Sequence, residues 1–233
     1  MSQELANQIY QQVSDHRSKG VKASRSEKRL ALWHRFAQLE TEFMGHNPTP
    51  YAFPLADCAA RAAGAIAGMP MRSWAFTGAR MRAAGLLRGC SPKQLAQSDG
   101  AVRSSKLAAS TTDPADRALH AVGAALSSKS PVLCLLGKTA LANGGFYEAL
   151  NTASLTGATV IFAIIDTDIS QLPLSAQHSG DVAALAQASL GGSDSITELE
   201  LNNLNEDEQF STVADCVEQC ASEMSGPAVL ILR

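Results

Sequence analysis

The sequence predicts an α/β domain of three layers, α/β/α, with a mostly parallel sheet of about five strands and an N-terminal helical extension. Three observations carry this. Pro131 to Asp168 reads as strand, helix and strand with short connections, the signature of a right-handed parallel unit. The chain is 45% hydrophobic but only 5% aromatic, so its core is Ala, Leu, Val and Ile, which suits helices packed closely on a buried parallel sheet. Further apolar runs and helical stripes then alternate as far as Leu232. The 233 residues suffice for one such domain, with the extension expected over 1–54 and the α/β domain over 55–233.

In chain order, residues 2–14 have a polar helical pattern, and a basic run of Arg17, Lys19, Lys22, Arg25, Lys28 and Arg29 follows. Without interleaved aromatics such a run reads as a solvated linker or helix start. Ser26 is a plausible N-cap for a helix with Leu30, Trp33, Phe36 or Phe43, and Leu39 on one face, apolar enough to dock on the domain or on another subunit. Asn47 to Pro50 and Pro54 break the chain. Leu55 to Ala67 is a helix of very small residues that must be buried, and Ser73 to Thr77 is a short strand. Ser98 to Asp116, rich in Ser, Thr, Ala and Asp, reads as a surface loop, partly disordered. A helix around His120 to Leu126 leads into the strand Val132 to Leu136. Phe146, Ala149, Leu150 and Ala153 form the buried stripe of the next helix, which Gly157 stops before the strand Thr159 to Ile165. Then come a helix from Asp181 to Leu190, a strand from Ile196 to Leu201, a helix opened by Glu206-Asp207-Glu208 and a final strand, Ala228 to Leu232.

The two loops Gly137-Lys138-Thr139 and Asp166-Thr167-Asp168 fall at the carboxyl ends of neighbouring parallel strands, where open α/β sheets place their ligands. Gly137 to Ala140 followed by Asn143-Gly144-Gly145-Phe146-Tyr147-Glu148-Ala149-Leu150-Asn151 resembles the diphosphate-binding half of thiamine diphosphate enzymes. The alpha subunit of the first component of 2-oxo acid dehydrogenase complexes is the nearest in pattern. Those proteins carry Gly-Asp-Gly at the first loop and Asn-Asn at the second, and the spacing here fits without a gap. Arg80 to Leu95 is similar to the same subunits: an alanine/leucine helix, Arg-Gly, then a proline opening the next helix. The resemblance puts Arg80 on the arginine that reaches the cofactor diphosphate, and Ala79 where a tyrosine stands. It spans about residues 30–233, weakly before His120 and firmly after it.

By this resemblance the cofactor site comprises Arg80, Gly137, Lys138, Thr139, Asp166, Thr167 and Ile169, the last through its carbonyl. The chemistry departs from the pattern. The motif's aspartate is Lys138, its second glycine is Thr139, and its asparagines are Asp166 and Thr167. The family's Mg²⁺ needs oxygen ligands in near-octahedral array, whereas Lys138 points an ammonium at the ion. Near ~4 Å and an effective dielectric of ~20, that repulsion is on the order of 8 kcal/mol before solvent and side-chain motion reduce it. The expectation is a vestigial site with no catalytic residue, no metal and no cofactor, in a structural or interaction subunit. Lys138 is expected to pair with Asp166 or Asp168. The alternative is an active thiamine diphosphate enzyme subunit, of 2-oxo acid dehydrogenase or transketolase-like type, holding thiamine diphosphate with Mg²⁺ and completed by a beta-type partner. Either way the resemblance implies a homo-oligomer or such a partner.

Other classes find less support. Gly137-Lys138-Thr139 also ends a P-loop, but that motif needs a glycine at position 132, which is Val132 inside a strand. A net charge of −3 points to neither nucleic acid nor membrane partners. Five cysteines without Cys-x-x-Cys spacing, and no secretory signal or membrane-length apolar stretch, lead to the expectation of a reduced, cytoplasmic protein. Cys134 is expected to pack as a small hydrophobe. Cys216 and Cys220 share a helix without a histidine pair, which argues against a metal there.

Overall fold

A computed structural model describes residues 27–28, 30–36, 56–97, 100–111, 113–128, 130–170, 172–191 and 195–233, without the side chains of 56–58, 79–80 and 96–97. Its helices are α1 (residues 30–36), α2 (Ala56–Gly68), α3 (Pro92–Gln97), α4 (Pro114–Ser127), α5 (Gly144–Thr156), α6 (Val182–Ser189) and α7 (Glu206–Glu223). Among the described residues the strands are β1 (Ala75–Phe76), β2 (Val132–Gly137), β3 (Val160–Ile165), β4 (Ile196–Leu199) and β5 (Ala228–Leu232). They form one sheet in the order β1-β2-β3-β5-β4, with every neighbouring pair parallel.

Strand alternation divides the core in two. Leu133, Leu135, Ile161, Ala163, Ile165, Leu230 and Leu232 face α2 and α7. Val132, Cys134, Leu136, Val160, Phe162, Ile164, Val229 and Ile231 face α4, α5 and α6. The strand order explains this sorting. From β1 to β4 the chain advances across the sheet, so right-handed crossovers put their helices on one side; β4 to β5 steps back, and α7 falls on the other. The architecture is therefore α/β/α, as the sequence predicts.

Local chemistry sets the helix ends. The Asp113 carboxylate caps α4 by accepting from the Ala115 amide at 2.7 Å, ahead of Pro114 at the first helical position. Asn205 and Glu208 form a reciprocal capping box on α7. Gly157 ends α5 with a positive φ of 66°, which a residue without Cβ adopts at no steric cost.

The small-residue helix α2 lies directly against α7. A Cβ on Gly64 would stand 2.6 Å from the Phe210 carbonyl oxygen, and one on Gly68 2.5 Å from that of Ala214. On the same side Trp33 of α1 stacks on Phe36 and on Phe210, each at 5.4 Å between ring centroids. The described parts of both apolar surfaces are thus covered within the chain. Leu39, Phe43 and the basic stretch up to Arg25 lie outside the described residues, as does most of the 1–54 extension.

The segment read as a surface loop is the main local correction. Leu107 is fully buried and bridges both Ala75 and Val102, extending the short β1 edge. Asp113 to Asp116 already belong to the cap and first turn of α4. The segment's polar composition hid an apolar anchor, one of whose partners, Ala75, is distant in sequence. The helix expected after β1 is instead a 3-10 segment, Ala79–Arg88, ending at Gly89 with φ 81°.

Candidate functional site

The carboxyl edge of the sheet brings together most of the residues singled out in the sequence. Gly137 ends β2, Lys138 and Thr139 open a 3-10 turn, and Asp166 and Thr167 follow β3, whose register pairs Gly137 with Ile165. The Lys138 ammonium lies 2.6 Å from Asp166 Oδ1, with the two side chains 25% and 13% exposed. The expected pairing of Lys138 with a strand-end carboxylate is present, and Asp166 is the partner.

Arg233 completes the cluster. It follows β5, which lies between β3 and β4, so its guanidinium spans the gap between their loops. Its Nε is 3.6 Å from Asp166 Oδ2, and one Nη is 2.9 Å from Glu198 and 3.1 Å from Asp181. Although desolvation opposes it, the Asp181 hydrogen bond and the surrounding carboxylates hold the guanidinium above its ordinary pKa. Asp181 also caps α6 through the Ala184 amide at 3.0 Å; that bond, then Arg233, holds its carboxyl below the usual range.

Asp168 turns away from this cluster. Its carboxylate accepts from the Ser170 amide at 2.8 Å and the Ser170 hydroxyl at 3.0 Å. Those two bonds, with a smaller contribution from Lys138, lower its pKa. The Ile169 carbonyl accepts from the Leu172 amide at 3.0 Å, so it closes a turn. A Cβ on Gly137 would meet only Thr139 Oγ1, at 3.8 Å, so the backbone there does not need a glycine. The backbone of Arg80 lies in the 3-10 segment after β1, and its side chain lies outside the described residues.

Near the carboxyl ends of β1 and β2 lies a residue that sequence reasoning missed. Arg117 of α4 is 5% exposed and donates to the Leu135 carbonyl at 2.9 Å and the Thr111 carbonyl at 2.8 Å. Because β1 stops at Phe76, the Leu135 carbonyl takes a guanidinium as donor. Gly78 makes room, since its Cβ would stand 2.6 Å from the Arg117 Nη2. Burial lowers the Arg117 pKa against the opposing pull of Cys134 and Asp113. Cys134 is fully buried, and burial raises its thiol to about 12, so it packs as an inert hydrophobe. A charged residue among Ala115, Ala118 and Ala121 was the available signal for Arg117. For Arg233 it was a cation directly after a strand.

Asn143 and Asp113 link the N-termini of α5 and α4. Asn143 Oδ1 accepts from the Gly145 amide, while its Nδ2 donates to Asp113 Oδ1 at 3.1 Å. The amide donors at these helix starts are therefore engaged by caps. Among the described residues, no group of three or more His, Cys, Asp or Glu side chains is placed to hold a metal ion. A Mg²⁺–diphosphate unit does not fit the arrangement: the best-placed carboxylate, Asp166, is shared between two cations.

No family model matches the chain, and no curated protein does. Among the described residues, no helix is long and apolar enough to cross a membrane.

Proposed function

We propose that this chain is a non-catalytic homologue of the alpha subunit of a 2-oxo acid dehydrogenase first component, acting as a structural or interaction subunit on a thiamine diphosphate-binding fold. The observation that carries the reading is the Lys138–Asp166–Arg233 cluster. The carboxylate at the second loop is neutralised from both sides by the protein's own cations. A divalent ion entering there would meet an ammonium and a guanidinium before any free oxygen ligand. The engaged Ile169 carbonyl and the Cβ of Thr139, where the resemblance expects a glycine, support the same conclusion.

What remains is an α/β platform. A beta-type chain or a second copy is its expected partner, by the resemblance alone. Calorimetry of the whole chain with excess thiamine diphosphate and Mg²⁺ tests the reading, run beside the triple variant Lys138→Asp, Thr139→Gly, Thr167→Asn. We expect no binding by the unaltered protein. Micromolar, Mg²⁺-dependent binding would overturn the proposal and favour an active subunit. Binding by the triple variant alone would mark a decayed site on an intact fold.

A further inference from the structure

The outer face of α4 carries an exposed stripe of Asp116, Leu119, Gly123 and Leu126. At 3.6 residues per turn the four fall within an arc of about 80°. Leu119 is 38% exposed and Leu126 55%. Asp113 and Asn143 tie the starts of α4 and α5 together, and the two helices have 14 and 13 residues. Leu155, 79% exposed near the end of α5, therefore lies level with Leu126 and widens the apolar patch.

Gly123 is what gives the stripe its meaning. A glycine in a helix interior costs about 0.5–1 kcal/mol relative to alanine. At Gly64 and Gly68 the nearby α7 backbone excludes a Cβ, whereas a Cβ on Gly123 would meet nothing within 4 Å. Nor does Gly123 have a positive φ, so neither its conformation nor its packing among the described residues calls for a glycine. Bare backbone between two exposed leucines suits a second helix crossing there at close range.

The stripe is complementary to itself. About a twofold axis beside Gly123, two antiparallel α4 helices bring Leu119 against Leu126 of the second copy, and Leu126 against its Leu119, as an isologous contact requires. The same register sets Asp116 opposite position 129, a lysine in the sequence that lies outside the described residues. Apolar pairs at the centre with opposite charges at the ends match another copy of this chain. We propose that α4 pairs with α4 of a second copy across a twofold axis at Gly123, with Leu119, Leu126 and Leu155 as the apolar contacts. This interface rests on α4 and not on the thiamine diphosphate reading, so its failure would leave the vestigial site standing.

Sedimentation equilibrium of the full chain is the test, with a dimer expected at ~10 μM. Leu126→Arg should raise the dissociation constant roughly 100-fold or more, because each substitution enters a twofold interface twice. Gly123→Gln should weaken the dimer as well, yet leave the isolated chain no less stable in urea, since its Cβ has open space and glutamine is the better helix former. Mixing isotope-labelled Leu119→Cys chain with unlabelled Leu126→Cys chain and a short bis-maleimide should join position 119 of one copy to position 126 of the other, mapped by mass spectrometry. That readout holds even if the arginine variant fails to fold. A dimer left intact by both Leu126→Arg and Gly123→Gln, or no cross-link between these positions, would overturn the proposal. So would a monomer at that concentration, whether a beta-type chain or the chain's own residues 1–26 then cover the face.

Discussion

Replacing Lys138 with methionine keeps an unbranched side chain of similar reach and removes the ammonium from Asp166. The 2.6 Å contact joins groups that are 25% and 13% exposed. It therefore lies between exposed ion pairs, worth about 0.2–1 kcal/mol, and buried ones, whose breaking costs about 3–5 kcal/mol. Arg233 stays within 3.6 Å of the other Asp166 oxygen, so the carboxylate keeps a counter-charge. That places the expected loss near the lower end, at about 1.5 kcal/mol, or about 3–6 °C in Tm for a chain of this size. Urea unfolding of Lys138→Met, Asp166→Asn and the double variant isolates the pair, with an expected coupling of about 1 kcal/mol. A coupling below about 0.3 kcal/mol would refute the reasoning, because Lys138 would then not neutralise Asp166.

Three further outcomes are expected. Gly64→Ala and Gly68→Ala should each destabilise by about 1–3 kcal/mol in urea unfolding, because the new Cβ meets α7 backbone at 2.6 and 2.5 Å; a gain would show that α2 and α7 do not lie so close. Arg117→Met leaves the Leu135 and Thr111 carbonyls without this donor and should cost about 2 kcal/mol, partly offset by removing a buried charge, whereas unchanged stability would exclude it as the staple of the β1 edge. Asp168 and Asp181 have lowered pKa values when folded, so their stabilisation is complete above the unfolded value of about 3.9 and fades as pH falls through the folded ones. Asp181→Asn, which still caps α6 but loses its charge toward Arg233, should flatten the acid limb of a stability–pH curve; an identical curve would contradict the assignment.

Much of the fold was legible in the residues. Val132 to Gly137 and Val160 to Ile165 are uninterrupted apolar runs bounded by Pro131, Gly157 and polar loops, and both are strands. The pairing of Lys138 with a strand-end carboxylate also followed from the sequence, since adjacent parallel strands of equal length bring their following loops together. Leu107 was not legible, because one leucine in a polar stretch has no periodicity to reveal it. Nor was the 3-10 character of Ala79–Arg88, whose Ala-Ala-Gly-Leu-Leu core reads as an ordinary helix.

The sequence by itself determined where strands and helices lie and which loops reach the carboxyl edge, because those properties depend on neighbours two to four residues away. Only the tertiary structure decided that β5 inserts between β3 and β4. That insertion carries Arg233 to Asp166, Glu198 and Asp181, the last of them 52 residues away in sequence. Likewise, only the early end of β1 turned Arg117 into the donor for the Leu135 carbonyl. Local patterning says that a charged side chain needs a partner; the strand order supplies the partner.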